Sequence, residues 1–261
     1  LRIIKLAGLI LLIGMIIGCG SPGIKTADNA QEQFQIAKRE FDKKHYLKAI
    51  EGFQKVIFNF PGATVVDTAQ YYLAQAYFQN EDFALAAVEF NRLISNYPIS
   101  DFVDDAQYMA GVCYFKSTPG HYALDQEDLK KAIAAMEDFI VDNPDSPLLE
   151  SAREVILEAQ TRLAHKEYEN GMLYWKMSDL IAAEIYFQLV VDEYISTRYG
   201  SLALFKLGEV NYRLGRFATA LEKFNNFLSI YPTHELVPAA KEYIARITPQ
   251  LDSANVADGT K

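Results

Sequence analysis

Few residues in this 261-residue chain are suited to covalent or metal chemistry, and they stand apart. The four histidines, His45, His121, His165 and His234, are isolated from one another, and no paired-cysteine metal motif, glycine-rich phosphate loop or serine elbow occurs. The sequence is therefore read as non-enzymatic, with no catalytic residue, metal or dissociable cofactor. Cys113 falls where a small apolar side chain packs within a helix and is expected to be a buried, inert thiol. Cys19, closing the run Ile16, Ile17, Gly18, Cys19, is the candidate for covalent attachment of a lipid, which leaves Cys113 without a disulfide partner.

The remaining chemistry is recognition. Phe34 and Phe41, Tyr71 and Phe78, and Tyr108 and Phe115 are three aromatic pairs, each with a seven-residue spacing that puts both rings on one helix face. With Lys38 and Gln75 among them, they would suit an extended peptide that is rich in aromatics and ends in a carboxylate. Tyr212, Arg213 and Arg216, beside the turn at Gly215, would suit a folded partner, because guanidinium groups pair with carboxylates in a fixed fork geometry.

These residues ride on a repeat. Number 70–98 so that Ala74 is position 8; Ala86 is then 20, Phe90 is 24 and Pro98 is 32, which is the tetratricopeptide frame. The frame recurs with Ala37, Gly111, Gly171 and Gly208 at position 8, and with Ala49, Ala132, Ala183 and Ala220 at position 20. Position 24 holds Phe53, Met136, Phe187 and Phe224, while Pro61, Pro144 and Pro232 stop the second helix of each pair and Ile195 is the exception. The small residues at 8 and 20 are expected to meet where two helices cross, with position 24 filling the space between repeats. The reading is all-α: a right-handed tetratricopeptide-repeat solenoid of five repeats with a carboxy-terminal capping helix.

The expected organisation runs as follows. Residues 1–18 carry Arg2, Lys5 and a short apolar run, and form a leader. A lipidated tether follows at 19–30, then repeats 1 to 3 at 31–144. A long helix with repeats 4 and 5 occupies 145–232, a capping helix 233–247 and a disordered tail 248–261. The extra residues of repeat 3 enlarge the loop around Pro119 and Gly120, and an unbroken helical pattern from Leu149 towards Met177 predicts one helix of about 28 residues, capped by Ser146 with Pro147 at its first turn. The chain carries a net charge of −9, which excludes the basic stripe of a nucleic-acid binder.

The run ending at Cys19 resembles a bacterial lipobox, which implies diacylglycerol on the sulfur and cleavage before it. Glycine rather than aspartate at position 20 implies the outer membrane by the same resemblance. The tether, five repeats, enlarged third loop and long helix with Leu163, Ala164, Glu167, Tyr168 and Tyr174 together resemble the BamD family, lipoproteins of the β-barrel assembly machine. The resemblance implies a scaffold on the periplasmic face of the outer membrane. Its partners would be a BamA-like barrel insertase on the carboxy-terminal repeats and unfolded outer-membrane protein segments on the amino-terminal ones. The alternative is another periplasmic repeat lipoprotein, acting in cell-envelope division, export or secretion.

Overall fold

The computed structural model describes residues 29–258, and among these every regular element is a helix. The leader, Cys19 and most of the tether lie outside the described residues. The chain divides into two compact units at Glu81 and Asp82, within the second repeat.

The first unit contains α1 (Ala30–Asp42), α2 (Tyr46–Asn59) and α3 (Val66–Gln79). The Asn29 side chain caps α1 by accepting from the Glu32 N–H at 2.8 Å. Phe34, Ala37, Ala49, Phe53, Val56, Ala69 and Leu73 form one core between the three helices.

The second unit contains α4 (Phe83–Asn96), α5 (Val103–Ser117), α6 (Glu127–Asp142), α7 (Leu149–Lys176), α8 (Leu180–Tyr194), α9 (Arg198–Arg213), α10 (Phe217–Ile230) and α11 (Val237–Asp258). Each helix packs on the next, and α7 also meets α5 and α9, so the first helices of successive repeats touch as a tetratricopeptide stack requires. α7 is a single helix of 28 residues.

The turns inside the repeats share a device that the frame alone does not announce. Lys44, Glu81, Ser178 and Gly215 all stand at position 15 with φ between 62° and 73°. Around three of them the next N–H, of His45, Asp179 and Arg216, reaches back five residues to the carbonyls of Glu40, Tyr174 and Asn211. That is the Schellman closure, which favours glycine in the left-handed position; only Gly215 supplies it.

Where position 8 is glycine in the last two repeats, the group nearest to it is the ring at position 24 of the same repeat: a Cβ on Gly171 would lie 2.6 Å from the Phe187 ring, and one on Gly208 2.6 Å from Phe224. The position-20 alanines of these repeats, Ala183 and Ala220, are buried as well. Two expectations need correction. Ser146 does not cap α7; Leu148 occupies the cap, and the Ser146 hydroxyl accepts from the Leu148 N–H at 3.2 Å in the preceding turn. The last helix starts at Val237, since His234 belongs to the turn before it, and runs past Ile247 to Asp258 with Pro249 inside. Ile244, Ile247 and Leu251 all lie on one cluster, and that burial continues the helix where the polar composition predicted a tail.

The enlarged loop between α5 and α6 is built rather than loose. Buried Gln126 donates through Nε2 to the carbonyls of Pro119, His121 and Asp125, and Tyr122 lies on His165 of α7 with ring centroids 4.7 Å apart. His165 in turn stacks on Tyr199 at 4.8 Å.

Candidate functional site

In the first unit, packing takes much of the predicted groove. Phe34 is 6 % exposed and lies against Phe53 and Tyr72, and half-buried Phe41 meets Tyr46, Phe53 and Tyr72 edge-on. Lys38 is occupied as well: its ammonium pairs with Asp42 at 2.5 Å and sits 4.9 Å from the centre of the Tyr72 ring. Tyr71, Gln75 and Phe78 are half-buried, and the Gln75 amide donates to the Tyr71 hydroxyl at 3.1 Å. In the second unit Tyr108 packs on Phe139, while Phe115 carries the Arg162 guanidinium 4.5 Å above its ring, so these two rings belong to different clusters.

The carboxy-terminal set divides. Half-buried Tyr212 is wedged against Phe217 and Tyr243. Arg216 pairs with Glu184 of α8 at 2.9 Å, and Glu184 also accepts from the buried Asn211 amide at 3.1 Å. Arg213 points elsewhere, with its guanidinium carbon 4.5 Å from the centre of the Trp175 ring of α7. Lys206 Nζ is 4.8 Å from the same ring and pairs with Glu209 at 2.6 Å; Glu209 also accepts from the Tyr243 hydroxyl at 3.0 Å. Burial, then the Glu209 charge, pushes the Tyr243 phenol up to about 12, so it remains a donor across the physiological range.

Two features escaped the sequence reading. Ile181, Ile185 and Leu189 recur every four residues on α8 and are 49 %, 64 % and 39 % exposed, a stripe flanked by Glu184, Gln188 and Asp192. The signal was present in LIAAEIYFQLVV, which is apolar on more faces than one buried side requires. The second is the pair of cations on Trp175, whose warning was Lys206 and Arg213 set seven residues apart on α9, the second helix after that tryptophan.

Cys113 is fully buried, and burial pushes its thiol up to about 12. Among the described residues no group of three histidine, cysteine or acidic side chains is placed to hold a metal ion, and no helix is long and apolar enough to cross a membrane.

The sequence profile of an outer membrane lipoprotein family, YfiO, matches residues 26–219. No curated protein sequence matches the chain. Among solved structures, the chain is similar to the TPR2AB domain of yeast Sti1 in its pHSP90 complex (15 % identity over 87 % of this chain and 86 % of that one, TM-score 0.42). It is also similar to a tetratricopeptide repeat protein from Parabacteroides merdae (13 % identity, 88 % and 76 % covered, TM-score 0.37) and to a thermophilic repeat protein of Thermus thermophilus (14 % identity, 83 % and 100 % covered, TM-score 0.36).

Proposed function

The chain belongs to the YfiO family of outer membrane lipoproteins, the BamD family, and from that premise we propose that it is a non-catalytic scaffold of a β-barrel assembly machine. Lipid on Cys19 holds it to the periplasmic face of the outer membrane, where it binds a BamA-like barrel insertase and unfolded segments of outer-membrane proteins. Two or more acyl chains give the stable anchorage that one would not.

The observation that carries this reading is the uncovered face of α8. An apolar stripe of Ile181, Ile185 and Leu189, rimmed by Glu184 and Arg216, has the make-up of a protein-binding patch: an apolar centre with a polar margin. We assign the insertase contact to this stripe together with Arg216. The half-buried Tyr71, Gln75 and Phe78 of the first unit receive client segments.

The test is affinity recovery from crosslinked intact membranes. Recovery of the barrel insertase with the native chain supports the assignment, and its loss with Ile185→Glu or Arg216→Glu locates the contact. Recovery of peptidoglycan synthases in its place would overturn the scaffold reading in favour of a division role.

A further inference from the structure

We propose that the outward face of α2, built from Lys44, Leu47, Lys48, Lys55 and Phe58, lies on the anionic phospholipid surface of the membrane in which Cys19 is anchored. At helical spacing these positions fall within one stripe about 100° wide, so they share one side of α2 and of the turn before it. Leu47 is 66 % exposed and Phe58 74 %, large apolar groups that the described chain leaves uncovered. Lys44, Lys48 and Lys55 have no acidic partner among the described residues, whereas Lys38 and Lys43 are tied to Asp42 and Glu40. Glu51 is the one acid within the stripe.

Ammonium groups mixed with a leucine and a phenylalanine on one exposed face match the boundary of an anionic lipid layer. The lysines meet phosphate on their long stems, and the apolar side chains enter between the acyl chains. With a net charge of −9 the chain is acidic elsewhere, so an anionic surface repels its other faces and selects this one. The repeat frame does not demand these residues. In the second repeat Glu81, Ala84 and Ser95 stand where Lys44, Leu47 and Phe58 do, and Arg92, the equivalent of Lys55, is tied to Glu89 at 2.7 Å.

Position in the chain supplies the proximity. Cys19 and Asn29 are ten residues apart, which spans at most about 35 Å, so α1 starts within that distance of the anchor. α2 returns antiparallel to α1, with Tyr46 against Phe41 and Phe53 against Phe34, and this brings Phe58 back towards the end at which the chain arrives from Cys19. Tethering raises the effective concentration of the face at the membrane, so a modest intrinsic affinity is enough. The inference rests on the reading of Cys19 as a lipid anchor, and adds a second contact that orients the first unit on the membrane.

The test uses the mature, lipid-bearing protein with Asn59→Cys, which takes one fluorophore beside the stripe because Cys19 is spent in its thioether and Cys113 is buried. It is reconstituted in vesicles of phosphatidylcholine alone and of phosphatidylcholine with phosphatidylglycerol, each holding the same amount of a lipid with a nitroxide on its headgroup. Quenching is expected to be stronger in the anionic vesicles and to weaken as salt is raised. Lys44→Glu, Lys48→Glu and Lys55→Glu together should lower the docked fraction roughly tenfold or more, with circular dichroism unchanged. Phe58→Ser should weaken docking and leave its salt dependence in place. Equal quenching in the two kinds of vesicle, or undiminished quenching in the triple variant, would overturn the proposal; if quenching is equal and the triple variant loses a protein from crosslinked membranes, the face docks an acidic protein instead. Mass spectrometry of Cys19 is a separate readout. Absence of lipid there removes the anchor and this inference with it, whereas lipid on Cys19 without a quenching difference refutes this face alone and leaves the scaffold reading standing.

Discussion

The same substitution, glycine to alanine at position 8, should have opposite effects in two repeats, because the groups that the new methyl would meet differ in freedom. At Gly171 the Cβ would fall 2.6 Å from Cε1 and 2.8 Å from Cδ1 of Phe187. Carbon atoms rest about 3.5 to 4.0 Å apart, so the ring or the helix must retreat by about 1 Å. Phe187 is fully buried, and its ring is fixed by Tyr168 at 5.5 Å, so the strain cannot be relieved by a rotamer change. Overpacking of this kind costs about 1 to 3 kcal/mol, against a gain of about 1 kcal/mol in helix propensity, so Gly171→Ala should be neutral to destabilising by about 2 kcal/mol. At Gly111 the nearest atom is Cε of Met136 at 2.8 Å, the far end of a flexible chain, and Gly111→Ala should be neutral or stabilising by up to about 1 kcal/mol. Urea denaturation followed by circular dichroism measures both. A further arm places Gly171→Ala in a Phe187→Met background, where the alanine should lose most of its cost. If Gly171→Ala is as stable as Gly111→Ala, or if the methionine background does not relieve it, position 8 is not held small by the residue at position 24.

Three more outcomes follow from the geometry. The Asn91 amide donates to the Tyr114 hydroxyl at 3.1 Å, so a double-mutant cycle of Asn91→Ala with Tyr114→Phe should return a coupling of about 0.5 to 1.5 kcal/mol, and additivity would refute the bond. Ser178 adopts φ 62° where Gly215 adopts 73°, so Ser178→Gly should raise the urea midpoint, by about 1 kcal/mol in stability, and a lowered midpoint would show that the left-handed turn carries no strain. With its thiol raised to about 12, Cys113 should resist a disulfide reagent at pH 8 until the protein unfolds, and rapid stoichiometric labelling of the folded chain would contradict its burial.

What could be read from the sequence was whatever depends on residue size and helical period. Small side chains at position 8, proline at the end of the second helix and the unbroken stripe from Leu149 specify helix pairs and the 28-residue α7 without knowledge of neighbours. What could not be read was the choice among partners of similar size. Phe34 and Tyr71 both stand at position 5, yet Phe34 is sealed by Phe53 and Tyr72 while Tyr71 keeps part of its ring open. Lys38 stands among the groove residues in the sequence, yet Asp42, one helical turn on, holds its charge. The extension of α11 was missed because Pro249 and the polar residues around it argue for an end, whereas Leu251 reaches back to a buried cluster that only the folded chain brings near.

The departures from the frame are where function is to be sought, and the α8–α9 step shows why. In the first unit the Gln54 amide on α2 donates to the Tyr77 hydroxyl on α3 at 3.1 Å, and in the second unit Asn91 of α4 and Tyr114 of α5 repeat that bond at the same distance and the same 23-residue separation. At the α8–α9 step the tyrosine is replaced by Asn211, and the amide of Gln188 turns to Asp192 instead. Asn211 gives its amide to Glu184, and its own buried Oδ1 has no partner among the described residues. A buried unpaired acceptor costs about 1 to 3 kcal/mol, and the neutral clasp used twice elsewhere would avoid that cost. What the substitution supplies instead is a carboxylate held at the surface by Asn211 and Arg216, directly beside Ile185 on the uncovered stripe. A step that gives up stability to fix a charge at the rim of an apolar patch is organised for recognition rather than for stacking repeats.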